Sequence, residues 1–181
     1  MQADDRPLLI LDLDETLIHA LGRTLAHDPD FMVGPYHVYR RPNLAEFLNS
    51  CAGHYRLAVW SSGGSEYFEG IVANVFKQHD APQFVWSRHR CTTRLDAETR
   101  DEVHLKDLKK VKRLGFDLDR VLIVEDEPNK VARHYGNAVF VRPFFGEPDD
   151  DELHHLASYL TSIHAVPDFR RIEKRNWRRL T

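Results

Sequence analysis

Two stretches of this sequence place carboxylates directly after apolar runs. Asp12 and Asp14 follow the run that begins at Leu8, and Asp126 belongs to the acidic stretch after residues 121–124. Carboxylates held this close repel each other unless a cation offsets their charge. A hard divalent cation with oxygen ligands, such as Mg²⁺, meets that need. Each stretch alone is also compatible with a turn or a solvated loop, so the prediction of a metal site depends on the two stretches meeting in the fold.

Two further features have the residue types of a phosphate site. A third apolar run, residues 57–60, ends in Ser61 and Ser62, which two glycines follow. Hydroxyls and free backbone amides at a strand end can hold a phosphate, although the same residues are common in ordinary loops and caps. Lys106 opens a helical pattern farther along the chain, and periodicity alone does not separate it from a solvated lysine.

The elements that position these residues alternate between strands and helices. Short runs rich in β-branched and aromatic residues predict strands, and apolar periodicity and caps predict helices between them. This alternation indicates an α/β fold of the Rossmann-like, doubly wound type, with a mainly parallel sheet covered on both faces. Ligands of such folds bind outside the carboxyl ends of the strands, where the acids and serines stand. The predicted strands are 8–13, 56–60, 84–86, 121–124 and 138–141, and the predicted helices are 43–51, 65–79, 105–114 and 149–163.

Two polar stretches interrupt the alternation, and the chain ends in a basic segment. We interpret residues 26–39 and 85–104 as hairpins or loops over the site, the second being a small β insert. Residues 165–181 form a basic tail, in which 168–181 contain six Lys and Arg against two Asp and Glu. No repeat or low-complexity linker divides the chain, so we expect one domain over residues 1–181.

The bulk composition excludes several classes of protein. The 181 residues are 42% hydrophobic and 29% charged, near the averages for globular domains, and the net charge of −3 argues against a surface built wholly for nucleic acid. Two distant cysteines are too few for a disulfide scaffold or a cysteine zinc site. Nothing begins like a secretory signal, and no stretch approaches the roughly 20 apolar residues of a membrane span. We therefore expect a soluble, intracellular, cytoplasmic monomer without a membrane partner.

The order of these features resembles that of a known family. Residues 11–17, LDLDETL, look like the DxDxT motif of haloacid dehalogenase superfamily phosphatases. Arg41 ahead of a helix, Ser61, Lys106 and the strand at 121–128 follow in the order of the small C-terminal-domain phosphatases, the NLI-interacting-factor-like group. The resemblance covers most of the chain. It implies a phosphatase fold without a large cap domain and Mg²⁺-dependent hydrolysis of phosphomonoesters through an aspartyl-phosphate.

The resemblance also implies a role for each residue that matches a catalytic motif. Asp12 matches the nucleophile, and Asp14 matches the general acid that protonates the leaving oxygen and then activates water. Lys106 matches the lysine that offsets charge on the nucleophile and the phosphate. Ser61 matches the hydroxyl that binds phosphoryl oxygens, and Ser62 stands beside it where the family has a different residue.

The metal ligands that the resemblance implies come from both acidic stretches. They are the carboxylates of Asp12 and Asp126 and the backbone carbonyl of Asp14. Glu125 stands where the family usually has Asp, so we expect direct contact with Mg²⁺ less from it than from Asp126. We expect Glu125 and Thr16 to contact the metal ligands and hold them in position.

An open site without a large cap favours a macromolecular substrate, and the resemblance favours phosphoserine or phosphothreonine in a protein. Two alternatives stay open. A nucleic-acid end phosphatase acting on 3′-phosphates is suggested by the basic tail and by Arg88, His89, Arg90 and Arg94 in the insert. A non-catalytic phosphate-binding module is disfavoured by the intact motifs.

Overall fold

A computed structural model describes residues 4–95 and 100–181, without the side chains of residues 65 and 66. The strands in chain order are β1 (Leu8–Leu11), β2 (Ile18–Leu21), β3 (Phe31–Val33), β4 (Tyr36–Arg40), β5 (Arg56–Trp60), β6 (Val85–Trp86), β7 (Thr92–Leu95), β8 (Glu102–Leu105), β9 (Val121–Glu125) and β10 (Ala138–Phe140). The α-helices are α1 (Leu44–His54), α2 (Ser65–Val75), α3 (Lys109–Lys112) and α4 (Glu152–Ile163). Short 3-10 helices cover Arg88–Arg90, Leu118–Arg120, Pro128–Asn137, Phe169–Arg171 and Trp177–Leu180.

Five parallel strands form the central sheet, in the order β10-β9-β1-β5-β6. From β1 the chain moves outward to β6 on one side, and it then returns to build β9 and β10 on the other side. The direction of winding therefore reverses beside β1, and in such sheets this reversal opens a crevice at the carboxyl ends of the strands. The predicted α/β fold with a mainly parallel sheet is confirmed.

Strand β1 is buried on both faces, which explains its unbroken apolar sequence. Leu9 and Leu11 pack into a core with α1, α2 and α4, whereas Leu8 and Ile10 pack on the opposite face with α3 and the Pro128–Asn137 segment. Burying one such side chain fully contributes about 1.5–3 kcal/mol. The strand that precedes Asp12 is thus held by the core on both of its faces.

Two elements differ from their predicted bounds in ways that affect the site. Strand β1 ends at Leu11 because the carbonyl of Leu13 accepts the amides of the next turn, at 2.8–3.1 Å. The helix predicted over 105–114 is reduced to α3, because Glu102–Leu105 pairs with Thr92–Leu95 as an antiparallel hairpin. Lys106 therefore lies between a strand and a helix instead of at a helix start.

The two polar stretches are β structures. Strands β3 and β4 form the hairpin expected within residues 26–39, and β2 joins them in a three-stranded antiparallel sheet that was not predicted. Within residues 85–104 lie β6, a 3-10 turn and the β7–β8 hairpin, while residues 96–99 of that insert lie outside the described part.

The predicted basic tail packs against the body of the protein. Phe169 and Trp177 are buried, and the indole of Trp177 donates a hydrogen bond of 2.7 Å to the carbonyl of Phe140. The ammonium of Lys174 donates to the carbonyls of Phe169 and Ile172, at 2.5 and 2.8 Å. These contacts make the segment part of the folded domain.

Candidate active site

Three neighbouring strands end at the crevice with polar residues that the sequence singled out. Asp12 follows β1, Ser61 follows β5, and Glu125 is the last residue of β9. The amide of Asp12 donates to the carbonyl of Val124 at 3.2 Å, so the ends of β1 and β9 lie side by side. The expected convergence of separate acidic stretches is present in the fold.

A lysine contacts the predicted nucleophile inside the protein. The ammonium of Lys106 lies 2.6 Å from Asp12 Oδ1 and 2.5 Å from Glu125 Oε2, and all three side chains are buried. Burial opposes the charge on Lys106, yet the carboxylates of Asp12 and Glu125 raise its pKa overall. Burial and the charge of Glu125 raise the pKa of Asp12 to about 6. At neutral pH the pair is therefore a carboxylate facing an ammonium.

Asp12, Glu125 and Asp126 form an acid cluster in which one oxygen from each lies within 4.8 Å of the others. Asp12 Oδ2 and Asp126 Oδ1 are buried and accept no hydrogen bond within the described ranges. Buried acceptors without a donor are costly, and oxygens in this arrangement suit a hard cation. The carboxylate oxygens of the acid cluster therefore fit Mg²⁺ as ligands. Glu125, which we expected to bind the ion less directly, belongs to the cluster as fully as Asp126 does.

The carboxylate of Asp14 is held outside the acid cluster. It accepts a hydrogen bond of 2.7 Å from the Tyr67 hydroxyl and one of 3.2 Å from the Ser61 hydroxyl. Burial, followed by the charge of Asp12, raises the pKa of Asp14, and the two hydroxyl donors oppose this rise. Neither Asp12 nor Asp14 belongs to β1, because the strand ends at Leu11, and Glu15 after them takes a left-handed conformation with φ of 56°.

The loop after β5 packs closely against the carboxylate of Asp14. The amide of Gly63 donates to Ser61 Oγ at 2.9 Å, and a Cβ on Gly63 would lie 3.1 Å from that oxygen and 3.3 Å from Asp14 Oδ2. Glycine thus leaves room between the loop and the acid. The carbonyl of Ser62 accepts a hydrogen bond of 2.6 Å from Arg88 Nε, which joins the loop to the 88–90 turn.

Thr16 is buried, and its backbone forms hydrogen bonds with Leu13 and Arg41. Its carbonyl accepts a hydrogen bond of 3.1 Å from Arg41, while its hydroxyl has no partner in the described part of the chain. The guanidinium of Arg41 also contacts both oxygens of Asp150, at 2.7 and 2.9 Å. This buried pair ties the turn after Asp14 to the start of α4.

Sequence reasoning missed two residues of the site. Lys130 Nζ lies 3.6 Å from Glu125 Oε1 and 3.9 Å from both Asp12 Oδ2 and Asp126 Oδ1. Tyr67, which binds Asp14, looked only like part of an apolar helix stripe. The four-residue spacing of Lys130 from Asp126 was the one available signal, and no helical pattern supported it.

Comparison with known proteins identifies relatives over most of the chain. The family model for NLI interacting factor-like phosphatases matches residues 7–170. A Dictyostelium discoideum protein named "Probable C-terminal domain small phosphatase" is 30% identical over 178 residues, which are 93% of this chain and 55% of that protein. CTD nuclear envelope phosphatase 1 of Xenopus tropicalis is 27% identical over 186 residues, which are 94% of this chain and 72% of that protein. This chain therefore spans about half the length of the Dictyostelium relative.

A solved structure has the same fold. Fission yeast RNA polymerase II CTD phosphatase Fcp1, bound to beryllium fluoride, matches with a TM-score of 0.66 at 17% identity. The match covers 89% of this chain and 63% of that one. Together with the family match, it confirms the resemblance and the fold class predicted from the sequence.

The prediction of a cytoplasmic location is wrong, because the Xenopus relative is named as a nuclear envelope phosphatase. Composition and the lack of a recognisable leader say little about location, since neither reports on the partners that retain a protein at a site. Across residues 4–95 and 100–181, no helix is both long and apolar enough to cross a bilayer.

Proposed function

Because this chain belongs to the NLI interacting factor-like phosphatase family, we propose that it is a magnesium-dependent phosphomonoester hydrolase whose nucleophile is Asp12. The proposal depends above all on the buried contact of 2.6 Å between Lys106 Nζ and Asp12 Oδ1. This contact lies at the carboxyl end of β1, beside the point where the sheet reverses its winding. A carboxylate kept charged by a lysine in a crevice is suited to attack phosphorus.

In the first step a carboxylate oxygen of Asp12 forms a bond to phosphorus while the bond from phosphorus to the ester oxygen breaks. Asp14 gives its proton to the leaving oxygen. Its raised pKa favours the protonated acid that this step requires. The contacts from Tyr67 and Ser61 hold the Asp14 carboxyl group beside the reacting centre.

In the second step water attacks the aspartyl-phosphate and Asp14 accepts the proton of that water. The bond between phosphorus and the Asp12 oxygen breaks, which releases inorganic phosphate and restores the carboxylate. Lys106 offsets the negative charge on Asp12 and the phosphoryl oxygens throughout. Ser61, Ser62 and the amides of their loop bind the phosphoryl oxygens, a role typical of loops that follow strands.

Asp12 and Asp126 are the proposed carboxylate ligands of Mg²⁺, with the backbone carbonyl of Asp14 beside them. The position of Glu125 in the acid cluster supports adding it to this set. When bound, Mg²⁺ supplies positive charge that reduces the repulsion between a carboxylate nucleophile and an anionic phosphate.

The proposed substrate is phosphoserine or phosphothreonine in a protein. The names of the relatives support this choice, since all three refer to a C-terminal domain (CTD) and one of them refers to that of RNA polymerase II. The inserted elements near the crevice are a three-stranded sheet and a two-stranded hairpin, which are small compared with a cap domain. Such a site is open to a residue within a longer chain.

The nucleic-acid alternative receives less support from the structure than from the sequence. The C-terminal basic segment was one of its two motives, and most of the arginines there are already neutralised by carboxylates. The ion pairs are Arg170 with Asp119 at 3.5 Å, Arg171 with Asp168 at 3.0 Å, Arg175 with Glu173 at 2.5 Å and Arg178 with Asp151 at 3.1 Å.

A generic aryl phosphate tests the proposed activity without assuming a natural substrate. We expect turnover with Mg²⁺, none with a chelator, and a loss of roughly a thousandfold or more in Asp12→Asn, the scale for a group that acts in the transition state. Asp5→Asn, a change at an exposed carboxylate, is the matched control and should retain full activity. Activity that survives Asp12→Asn would exclude Asp12 as nucleophile, and no turnover of any phosphoester would favour a binding module. Faster hydrolysis of a 3′-phosphorylated oligonucleotide than of a phosphopeptide would favour the nucleic-acid alternative.

A further inference from the structure

A cavity lined almost entirely by basic side chains lies between the 88–90 turn and α3. It has a volume of about 220 Å³, and its lining, which we call the basic pocket, is His89, Arg90, Lys110, Arg113 and Leu114. No carboxylate contributes to this lining. The concentration of positive charge is unusual for a chain whose net charge is −3: residues 88–113 contain nine Lys and Arg against five Asp and Glu.

Two cations of the basic pocket, Arg90 and Lys110, are held in place by neutral groups. The guanidinium of Arg90 stacks on the ring of Trp86 at 4.4 Å from its centroid. The ammonium of Lys110 donates to the carbonyls of Arg90 and Cys91, at 2.7 and 3.3 Å. None of the ion pairs among the described residues includes Arg90, Lys110 or Arg113. Arg90 and Lys110 are therefore held in place, and no carboxylate of the described residues pairs with them or with Arg113, in contrast to the paired arginines of the C-terminal segment.

The basic pocket is joined to the proposed phosphate-binding loop. Arg88, at the start of the turn, donates through its side chain to the carbonyl of Ser62 at 2.6 Å and through its amide to that of Gly63 at 3.2 Å. On the other side, α3 begins three residues after Lys106. The two elements that form the pocket thus continue directly from two parts of the candidate active site.

We propose that the basic pocket binds a second oxyanion on the phosphoprotein substrate, close in sequence to the residue that is dephosphorylated. Arginine binds phosphate and carboxylate through paired, charge-assisted hydrogen bonds, so a second phosphorylated residue or an acidic side chain has the required chemistry. The small cavity favours one anionic group over a nucleic acid, which needs an extended stripe of cations. This inference rests on the proposed function, because it concerns the substrate of the same site.

The test compares phosphopeptides that share one target phosphoserine. A second position, moved stepwise to either side of the target, carries phosphoserine, glutamate or alanine. We expect the anionic peptides to have a KM about tenfold lower than the alanine peptide at one spacing, with kcat unchanged, the scale of one good charge-assisted contact. An advantage limited to phosphoserine identifies a second phosphate as the ligand, and an equal advantage with glutamate identifies any acidic residue.

Arg113→Glu should abolish this advantage, because it places a negative charge on an exposed residue of the pocket. Arg171→Glu, at an exposed arginine of the C-terminal segment, is the matched control and should preserve it. Equal KM values for all peptides, or an advantage that persists in Arg113→Glu, would overturn the proposal. Binding of oligonucleotides or anionic vesicles that Arg113→Glu abolishes, without any peptide preference, would overturn it too. Both variants are also tested with the aryl phosphate. If both hydrolyse it, any of these contrary results rejects the pocket as an anion site and leaves the proposed function intact.

Discussion

The ammonium of Lys106 lies 2.5 Å from Glu125 Oε2, and both side chains are fully buried. The contact joins the segment after β8 to the end of β9, which places the lysine beside Asp12. The family that this sequence resembles usually has Asp at the position of Glu125. The longer side chain reaches Lys106 with one oxygen and leaves the other, Oε1, toward Lys130 at 3.6 Å.

Glu125→Gln should weaken Mg²⁺ binding. The amide keeps the shape of the side chain but removes one charge from the acid cluster, and changes around a metal site typically cost 10- to 100-fold in affinity. We expect at least a tenfold loss on this scale in a calorimetric titration with Mg²⁺. Glu69→Gln, at an exposed glutamate of α2, is the control and should bind as the unchanged chain does. Equal affinity in Glu125→Gln would place Glu125 outside the metal site.

Lys130→Met should strengthen Mg²⁺ binding. The ammonium of Lys130 lies 3.6–3.9 Å from one oxygen of each member of the acid cluster. Its positive charge therefore repels a cation that binds to the same carboxylates. Because partial exposure screens this repulsion, we expect a gain of roughly tenfold, well below the Coulomb energy of a dry site. The same titration measures it, with Lys77→Met, an exposed lysine, as control. Weaker binding would mean that Lys130 supports the ion.

Tyr67→Phe should lower kcat with little change in KM for an aryl phosphate. The change removes the 2.7 Å hydrogen bond that orients Asp14 and keeps the aromatic ring in place. Losing one hydrogen bond to a charged group corresponds to about a tenfold loss in rate. Tyr36→Phe is a close control, since the ring of Tyr36 packs edge-on against that of Tyr67 with centroids 4.9 Å apart. A rise in KM alone would indicate that Tyr67 binds substrate instead of positioning Asp14.

Arg41→Met should destabilise the fold far more than the same change at an exposed arginine. The Arg41 side chain is fully buried and bound to both oxygens of Asp150, which loses its partner in the variant. Removing one partner of a buried pair costs about 3–5 kcal/mol in the free energy of unfolding. Arg171→Met, whose side chain is 87% exposed, should cost at most about 1 kcal/mol. Urea denaturation compares the two, and equal losses would show that the buried pair contributes no more than a surface one.

Much of the site was predictable because each buried strand, and the polar residue at its end, can be recognised from a short stretch of sequence. Strands buried on both faces must be apolar runs, and the polar residues at their ends must meet at one edge of the sheet. That reasoning placed Asp12, Ser61 and the acids after Val124 together. It needed no knowledge of helix packing or loop conformation.

The rest depended on contacts between distant parts of the chain. Tyr67 binds Asp14 from 53 residues away, and its place in an apolar helix stripe concealed its hydroxyl. Lys130 enters the acid cluster from an irregular 3-10 segment with non-helical conformations at Val131 and His134, which no periodic pattern predicts. At strand β8 only the last residue was assigned wrongly, because the helix predicted over 105–114 included Leu105, which pairs with Thr92 in the hairpin.

Trapping the covalent intermediate tests the role of Asp12 most directly. Enzyme mixed with an aryl phosphate and Mg²⁺ is quenched and treated with borohydride, which reduces an aspartyl-phosphate to homoserine, and peptide mass spectrometry then locates the change. We predict conversion of the Asp12 side chain, only when substrate and Mg²⁺ are both present, and none in Asp12→Asn. Conversion at another carboxylate, or none during active turnover, would contradict the assignment of Asp12 as nucleophile.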